Sequence, residues 1–182
     1  MRCDKIDTEM HWYAMRDLKR SNARVLAYML LAEAGLEVFT PMATRLITVN
    51  GKRVKSQVPI MHDLLFVNGC RQNIDPVVQK VPTLQYRFKR GGKQGEPIIV
   101  PEEDMRRFIS VVNYSNSPKF YSADELSTLM CGRRIRIVGG LLDGYEGQLQ
   151  TIRGSKSKNI VIVLQSLLAV SVEITDEFIE LL

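Results

Sequence analysis

Apolar and polar residues alternate along short stretches of the first half of the chain. "LQYRFK" (84–89) has this period of two, which is typical of strands in a sheet. "HWYAM" (11–15), which is mostly apolar, also predicts a strand. "LLFVNG" (64–69) is a continuous apolar run that predicts a buried strand, and "LEVFTP" (36–41) predicts a strand that ends at proline. The runs "RLITV" and "VKSQV" flank Asn50 and Gly51, a dipeptide that favours a tight hairpin turn.

Two segments have the helical period instead. "SNARVLAYMLLAEAG" (21–35) predicts a helix that Gly35 ends. The residues expected on its buried face are Val25, Leu26, Met29 and Leu30. "VPEEDMRRFISVV" (100–112) predicts another helix, with Pro101 at its first position and three acids near the positive end of its dipole. The order of elements predicts an antiparallel sheet with packed helices, which is the α+β fold class.

The last third of the chain is rich in short β-type runs. The runs are "RRIRIV" (133–138), "GQLQTI" (147–152), "IVIVL" (160–164) and "LAVSVEI" (168–174). Four or five strands within about fifty residues predict a small barrel, because a barrel closes its own edges.

A glycine cluster lies between the first two of these runs. The spacing of Gly140, Gly144 and Gly147 matches neither a P-loop nor a dinucleotide-binding fingerprint. We therefore expect these glycines to form a structural turn, where glycine permits positive φ and close approach of two backbones.

Periodicity lapses in "NYSNSPKFYSADEL" (113–126), where Asn, Ser and Pro cluster. Ser122 and Glu125 have the spacing of a capping box, which predicts one short helical turn. The predicted organisation is a first domain at 10–112, a linker at 113–127 and a barrel at 128–182.

Composition and charge narrow the function. The chain is 45% hydrophobic and 25% charged. Its N-terminal "MRCDKIDTEM" is too polar for a signal peptide, and its longest apolar run, "IVIVLQSLLAV", is too short for a membrane span, so a cytoplasmic protein without membrane contact is expected. Three cysteines without Cys-x-x-Cys spacing and two histidines predict no disulfide framework, metal site or cofactor. His62 beside Asp63 lacks a nucleophile or a second base, so we expect no catalytic residue and no enzyme.

The positive charge is concentrated in the first part of the chain. Residues 1–112 contain 18 Lys and Arg against 12 Asp and Glu, a net charge of +6, whereas residues 113–182 contain 7 against 8, a net charge of −1. This excess favours contact of the first domain with a polyanion, although basic residues can also form a merely solvated face.

The residues carry a family resemblance. "GRRIRIVGGLLDGYEGQLQTI" (132–152) resembles a KOW motif, which occurs in ribosomal proteins and in transcription factors. "WYAM" (12–15), "VFTPM" (38–42) and "PIMHDLLFV" (59–67) stand where the NusG family of transcription elongation factors has its own motifs. The long hairpin around "GKR" (51–53) is more similar to the specialised RfaH and UpxY-type antiterminators.

The resemblance implies an NGN-like first domain followed by an SH3-like KOW barrel. It further implies an elongation and antitermination factor that binds RNA polymerase through its first domain and suppresses pausing or termination, in an operon-specific manner. The implied partners are RNA polymerase, the non-template DNA of the elongation complex, and a ribosomal or termination-factor partner for the KOW barrel.

The resemblance also assigns residues. An apolar polymerase-binding patch would comprise Leu64, Phe66, Met105 and Phe108. The same helical spacing would ordinarily place Met105 and Phe108 in a core, and this alternative stays open. The candidates for contact with DNA are Lys19, Arg20 and Lys80.

Two other function classes compete with the polymerase-bound factor. One is an RNA-binding or ribosome-associated module, since KOW domains also serve there, and the other is a protein adaptor. The near-neutral barrel argues against strong RNA binding, because phosphate contacts need local positive charge.

Overall fold

The computed structural model describes residues 8–19, 25–61, 63–89, 95–115, 118–122, 125, 132–140, 142–151, 158–165, 167–174 and 178–182. The chain divides into two compact units, Met1–Pro101 and Glu102–Leu182. The described residues form a mixed structure that is mostly sheet with three helices, in agreement with the predicted α+β fold class.

The first unit is built on an antiparallel sheet. Its elements are β1 (His11–Asp17), α1 (Ala27–Glu33), β2 (Glu37–Phe39), β3 (Met42–Val49), β4 (Lys52–Pro59), β5 (Leu65–Gly69), α2 (Arg71–Lys80), β6 (Leu84–Tyr86) and β7 (Ile99–Val100). The strand order is β2-β5-β1-β6, and β7 also pairs with β1. Strands β3 and β4 pair only with each other among the described strands.

One face of this sheet carries the core of the first unit. Tyr13 pairs with Val67, and Met15 pairs with both Leu65 and Tyr86. These residues pack with buried side chains of the two helices. The full buried cluster is Tyr13, Met15, Ala27, Leu31, Leu65, Val67, Ile74, Val81, Leu84 and Tyr86. Trp12, Ala14 and Phe66, on the alternate positions of β1 and β5, are buried as well. Burial of both faces explains why these strands have nearly continuous apolar sequences.

The buried face of α1 differs from the prediction. Ala27 and Leu31 are buried, whereas Val25 and Met29 are 45% and 40% exposed. Leu26 has extended backbone angles, so the helix begins at the next residue and a different stripe faces the sheet. Gly35 has a φ of 79° just beyond the helix, as its predicted role as a stop requires.

Helix α2 was not predicted from the sequence. It contains Pro76, which ordinarily breaks a helix because it lacks an amide donor. Only Ile74 is fully buried, and Val77 and Val78 pack partly against the core. The apolar stripe is thus too short and too interrupted to give a helical signal.

The second unit contains one helix and a six-stranded antiparallel sheet. Its elements are α3 (Glu102–Tyr114), β8 (Lys119–Ser122), β9 (Arg133–Val138), β10 (Glu146–Thr151), β11 (Lys158–Leu164), β12 (Leu168–Ile174) and β13 (Phe178–Leu181). The strand order is β13-β9-β10-β11-β12-β8, so the last strand returns to pair with β9. Strands β9 to β12 agree with the predicted runs, whereas β13 and β8 were missed.

Two features of this unit differ from the expectations based on sequence. Residues 119–122, which we assigned to the linker, form β8 and pair with β12. The residues just after Ser122 lie outside the described residues, so the short helical turn predicted there has no structural description. Helix α3, which we assigned to the first domain, contacts β11 and β12 and belongs to the second unit.

Candidate functional site

A buried carboxylate fixes the segment that holds Lys19. Asp17 ends β1, and its Oδ1 accepts a hydrogen bond from the Lys19 amide at 3.0 Å. Its Oδ2 accepts one from the Ala27 amide at 2.7 Å, which satisfies a free donor in the first turn of α1. One side chain therefore holds both the turn after β1 and the start of the helix.

The structure brings Lys19 and Lys80 to the same end of the first sheet. Lys19 follows β1, and Leu18 donates a backbone hydrogen bond at 2.9 Å to Thr83, three residues after Lys80. The Lys19 ammonium donates to the carbonyl of Val25 at 3.0 Å, which uses one of its three donors. Lys80 is exposed at the last position of α2. The third predicted DNA contact, Arg20, lies outside the described residues.

Leu64 and Phe66, predicted to form part of an exposed patch, are buried in the first unit. Their exposed fractions are 3% and 0%. Phe66 pairs with Ala14 of β1, and its ring centre lies 6.3 Å from that of Phe39. Neither side chain is available at the surface of this structure.

Met105 and Phe108 are buried in the second unit, with exposed fractions of 0% and 1%. They lie on α3, the helix that contacts β11 and β12. A cavity of about 350 Å³ adjoins this helix; Phe108, Arg107 and Tyr145 are among its lining residues. The Arg107 guanidinium lies 6.0 Å from the centre of the Tyr145 ring.

The expectation that these four apolar side chains are exposed is therefore wrong for this structure. The physical reason is the alternative considered for the sequence, in which apolar residues at helical or strand spacing face a core. Their contact with a polymerase stays a prediction.

Sequence reasoning did not identify the β3–β4 hairpin as a site. Asn50 and Gly51 have φ values of 50° and 76°, which allows the predicted two-residue turn. The base of the hairpin is closed by a backbone hydrogen bond of 2.8 Å from Ile60 to Pro41. Four exposed cations lie on its strands: Arg45, Lys52, Arg53 and Lys55. The missed signal is the complete lack of Asp and Glu between Glu37 and Asp63.

A polar cluster joins α2 to the sheet. The Tyr86 hydroxyl donates to Asp75 Oδ1 at 2.7 Å, and Arg71 lies 3.4 Å from Asp75 Oδ2. The Arg71 guanidinium also lies 5.8 Å from the centre of the Tyr86 ring. Burial, with the hydrogen bond to Asp75, raises the pKa of Tyr86 well above its usual range. The hydroxyl stays protonated and acts as a structural donor.

Asp63, which is next to His62 in the sequence, is bound to an arginine. Asp63 forms an ion pair of 3.0 Å with Arg87, which also donates to its backbone carbonyl, and His62 lies outside the described residues. Within the described part of the chain, no group of three His, Cys, Asp or Glu residues could hold a metal ion. No described helix is long and apolar enough to cross a membrane.

The glycines between β9 and β10 have two structural roles. Gly140 and Gly144 have φ values of 69° and 76°, as we predicted for a structural turn. The Gly144 amide donates to Ile137 at 2.8 Å and so closes the loop. Gly147 is required for a different reason, because a Cβ there would collide with the backbone carbonyl of Val161.

The arginines of β9 are paired with acids. Glu146 lies 2.8 Å from Arg134 and 2.7 Å from Arg136, and Glu180 lies 3.4 Å from Arg136. The hydrogen bond from Arg136 is the largest of the interactions that lower the pKa of Glu146. Much of the positive charge on this face of the second unit is thus neutralised within the unit.

Comparison with known proteins identifies the family. The model of the NusG family, described as transcription termination factor nusG, matches residues 10–109, which is more than half of the chain. No curated protein matches the sequence. The matched segment contains the whole sheet of the first unit and continues into α3, beyond the division at Pro101. The chain belongs to the NusG family of transcription factors.

Proposed function

We propose that this chain is an elongation and antitermination factor that binds RNA polymerase through its N-terminal domain and suppresses pausing or termination. The observation that carries the proposal is the family match over residues 10–109, because NusG-type factors bind RNA polymerase. We assign this role to a domain at 10–112, although its last helix groups with the second unit, and we place after it a linker at 113–127 that includes β8.

The proposed polymerase contacts are Leu64, Phe66, Met105 and Phe108. Apolar and aromatic anchors of this kind commonly contribute about 2 kcal/mol or more each to an interface. Each of the four is at most 3% exposed, so polymerase could reach them only after the groups that cover them move.

The proposed contacts with non-template DNA are Lys19, Arg20 and Lys80. Support comes from the common location of Lys19 and Lys80 at one end of the sheet, and from the basic character of residues 1–112. Two cations at one end of a sheet can contact neighbouring phosphates of one strand.

We further propose that residues 128–182 form an SH3-like KOW barrel whose partner is a ribosomal protein or a termination factor. The antiparallel meander β9 to β12 and the return of β13 to pair with β9 support this proposal. The eight-residue strands of the β3–β4 hairpin support a specialised, operon-specific factor of the RfaH or UpxY type.

One observation weighs against the alternative of an RNA-binding or ribosome-associated adaptor. Arg134 and Arg136, two cations in the first strand of the proposed KOW motif, are both paired with Glu146. Binding to RNA phosphates through them would have to compete with these pairs.

A purified transcription assay tests the proposal. The full chain should co-sediment with stalled elongation complexes and shorten pauses, and Lys19→Gln with Lys80→Gln should weaken both effects. The matched control is Lys119→Gln with Lys158→Gln, which removes the same charge from exposed positions of the second unit. Failure of the unmodified chain to bind polymerase would overturn the proposal.

A further inference from the structure

The hairpin of β3 and β4 has one fully exposed face. By the observed register, Thr48 lies opposite Arg53 and Leu46 opposite Lys55. Alternation along each strand places these side chains on the same face. The complete set, called the open face here, is Thr44, Leu46, Thr48, Arg53, Lys55 and Gln57, and all six residues are exposed.

The opposite face of the hairpin is more apolar and partly covered. Ala43, Ile47 and Val58 are half-buried there, whereas Arg45, Val49, Lys52 and Val54 on the same face are exposed. The open face therefore differs in that all six of its residues are exposed.

The chemistry of the open face favours a polyanion. Five of its six side chains can donate hydrogen bonds, and two of those carry a positive charge. Gln57 donates to the Thr44 hydroxyl at 3.0 Å, which orders the polar pair nearest the base of the hairpin. Lys52, next to the turn, pairs with Val49 and lies on the opposite face, so it does not belong to this set.

Nothing among the described residues neutralises these charges. No ion pair joins Arg53, Lys55 or Lys52 to a described acid, and the sequence from 38 to 62 contains none. A protein commonly pairs or disperses its surface cations, so an acid-free basic ribbon is a surface suited to phosphates.

The shape of the ribbon narrows the choice of nucleic acid. Two paired strands lie about 4.8 Å apart, and eight residues extend about 26 Å. The major groove of B-form DNA, about 12 Å wide, admits a two-stranded ribbon, and several DNA-binding proteins use one in this way. The major groove of A-form RNA is too deep and narrow for side chains to read.

We propose that the open face of the β3–β4 hairpin binds double-stranded DNA in the major groove. Arg53 and Lys55 contact phosphates, and Thr48, across from Arg53, donates to the same backbone. This site is separate from Lys19, Arg20 and Lys80, and it does not depend on the binding of polymerase.

Fluorescence anisotropy with a labelled DNA duplex of about 20 base pairs tests the site. Arg53→Gln with Lys55→Gln in the full chain should weaken binding about tenfold or more at roughly 100 mM salt. The double variant should also lower the slope of log K against log salt by roughly two, one unit for each phosphate contact. Arg53→Lys should retain most of the binding, because it keeps the charge.

The matched control and the competing partners decide the outcome. Lys119→Gln with Lys158→Gln removes the same charge from the second unit and should leave the affinity and the slope nearly unchanged. If the two double variants lowered the affinity for DNA equally, binding would depend only on net charge, and the proposed site on the open face would be wrong. Tighter binding to duplex RNA or to vesicles of anionic lipid than to duplex DNA would overturn the assignment to DNA. Far-ultraviolet circular dichroism should confirm that each variant is folded.

Discussion

The two basic hairpins differ in whether an acid on the neighbouring strand neutralises their cations. In the β9–β10 hairpin, Glu146 lies across from Arg136 and diagonal to Arg134, and it forms an ion pair with each. In the β3–β4 hairpin, the residues across from Arg53 and Lys55 are Thr48 and Leu46, and neither is acidic. A basic strand sequence therefore does not by itself indicate a nucleic-acid site, because its cross-strand partners decide whether the charge is available.

The hairpins also differ in how they use glycine. Gly51 adopts a positive φ in an open turn, where an added Cβ would meet no other atom within 4 Å. Gly147 lies against the neighbouring strand, where there is no space for a side chain. The first glycine serves the backbone conformation of an exposed ribbon, and the second serves the packing of a sheet.

The largest expected effect concerns Gly147. Gly147→Ala places a methyl group against the Val161 carbonyl and should lower the free energy of unfolding by about 3 kcal/mol. Gly51→Ala, the matched control in the exposed hairpin, should cost about 1 kcal/mol, because only its φ is unfavourable. Urea unfolding followed by circular dichroism measures both. Equal losses for the two variants would contradict the difference in packing.

A smaller loss is expected at Gly144. Gly144→Val should lower the free energy of unfolding by about 2 kcal/mol, because a β-branched residue at a φ of 76° is strained even in open space. The same urea titration applies. Fluorescence of Trp12, the one tryptophan, reports unfolding of the first unit. Because Gly144 is in the second unit, the transition followed by fluorescence should shift less than the transition followed by circular dichroism. An unchanged unfolding curve would contradict the claim that Gly144 is needed for its backbone conformation.

The third prediction concerns a variant in which acids are introduced into the β3–β4 hairpin, as in the β9–β10 hairpin. Leu46→Glu with Thr48→Glu places carboxylates across from Lys55 and Arg53, as Glu146 is placed across from Arg136. Affinity for duplex DNA should fall about tenfold, which is about 1.4 kcal/mol. Both positions are exposed, so stability should change little. Retained affinity in the same anisotropy assay would contradict the importance of unpaired charge.

The smallest effect is expected at the ion pairs of β9. The folded pKa of Glu146 is lowered, so its contribution is present above the unfolded pKa of about 4.3 and is lost as the pH falls through the folded value. Glu146→Gln should remove this part of the acid dependence of the melting temperature. Because the carboxylate is exposed, the effect should be slight and should fade in high salt. If Glu146→Gln lowered stability only at acid pH and not at neutral pH, the assigned sign would be contradicted.

Local patterns predicted much of the fold. Asn50 and Gly51 located a turn whose residues now show positive φ, because few other residues adopt that conformation. The alternation of Ile135 and Ile137 with arginines identified a strand with one buried face. Helix α2 and strand β8 were missed because their stability comes from packing and pairing with distant segments, which leaves a weak local signal.

The candidate site was harder to predict than the fold. Leu64 and Phe108 were assigned by resemblance to an exposed patch, yet sequence does not distinguish an apolar residue in a core from one at an interface. The open face of the hairpin became evident only from the register, which shows what stands across from Arg53 and Lys55.

Cross-linking within a reconstituted elongation complex tests the central claim most directly, that a polymerase-binding factor contacts nucleic acid through its first unit. A photoreactive residue is placed in the full chain either at Leu46, on the open face of the β3–β4 hairpin, or at Arg134, in the β9–β10 hairpin. Both labelled proteins should enter the complex, and the label at position 46 should cross-link to DNA while the label at 134 does not. Cross-links to DNA from position 134 alone, or the absence of the protein from complexes that contain polymerase, would contradict the account.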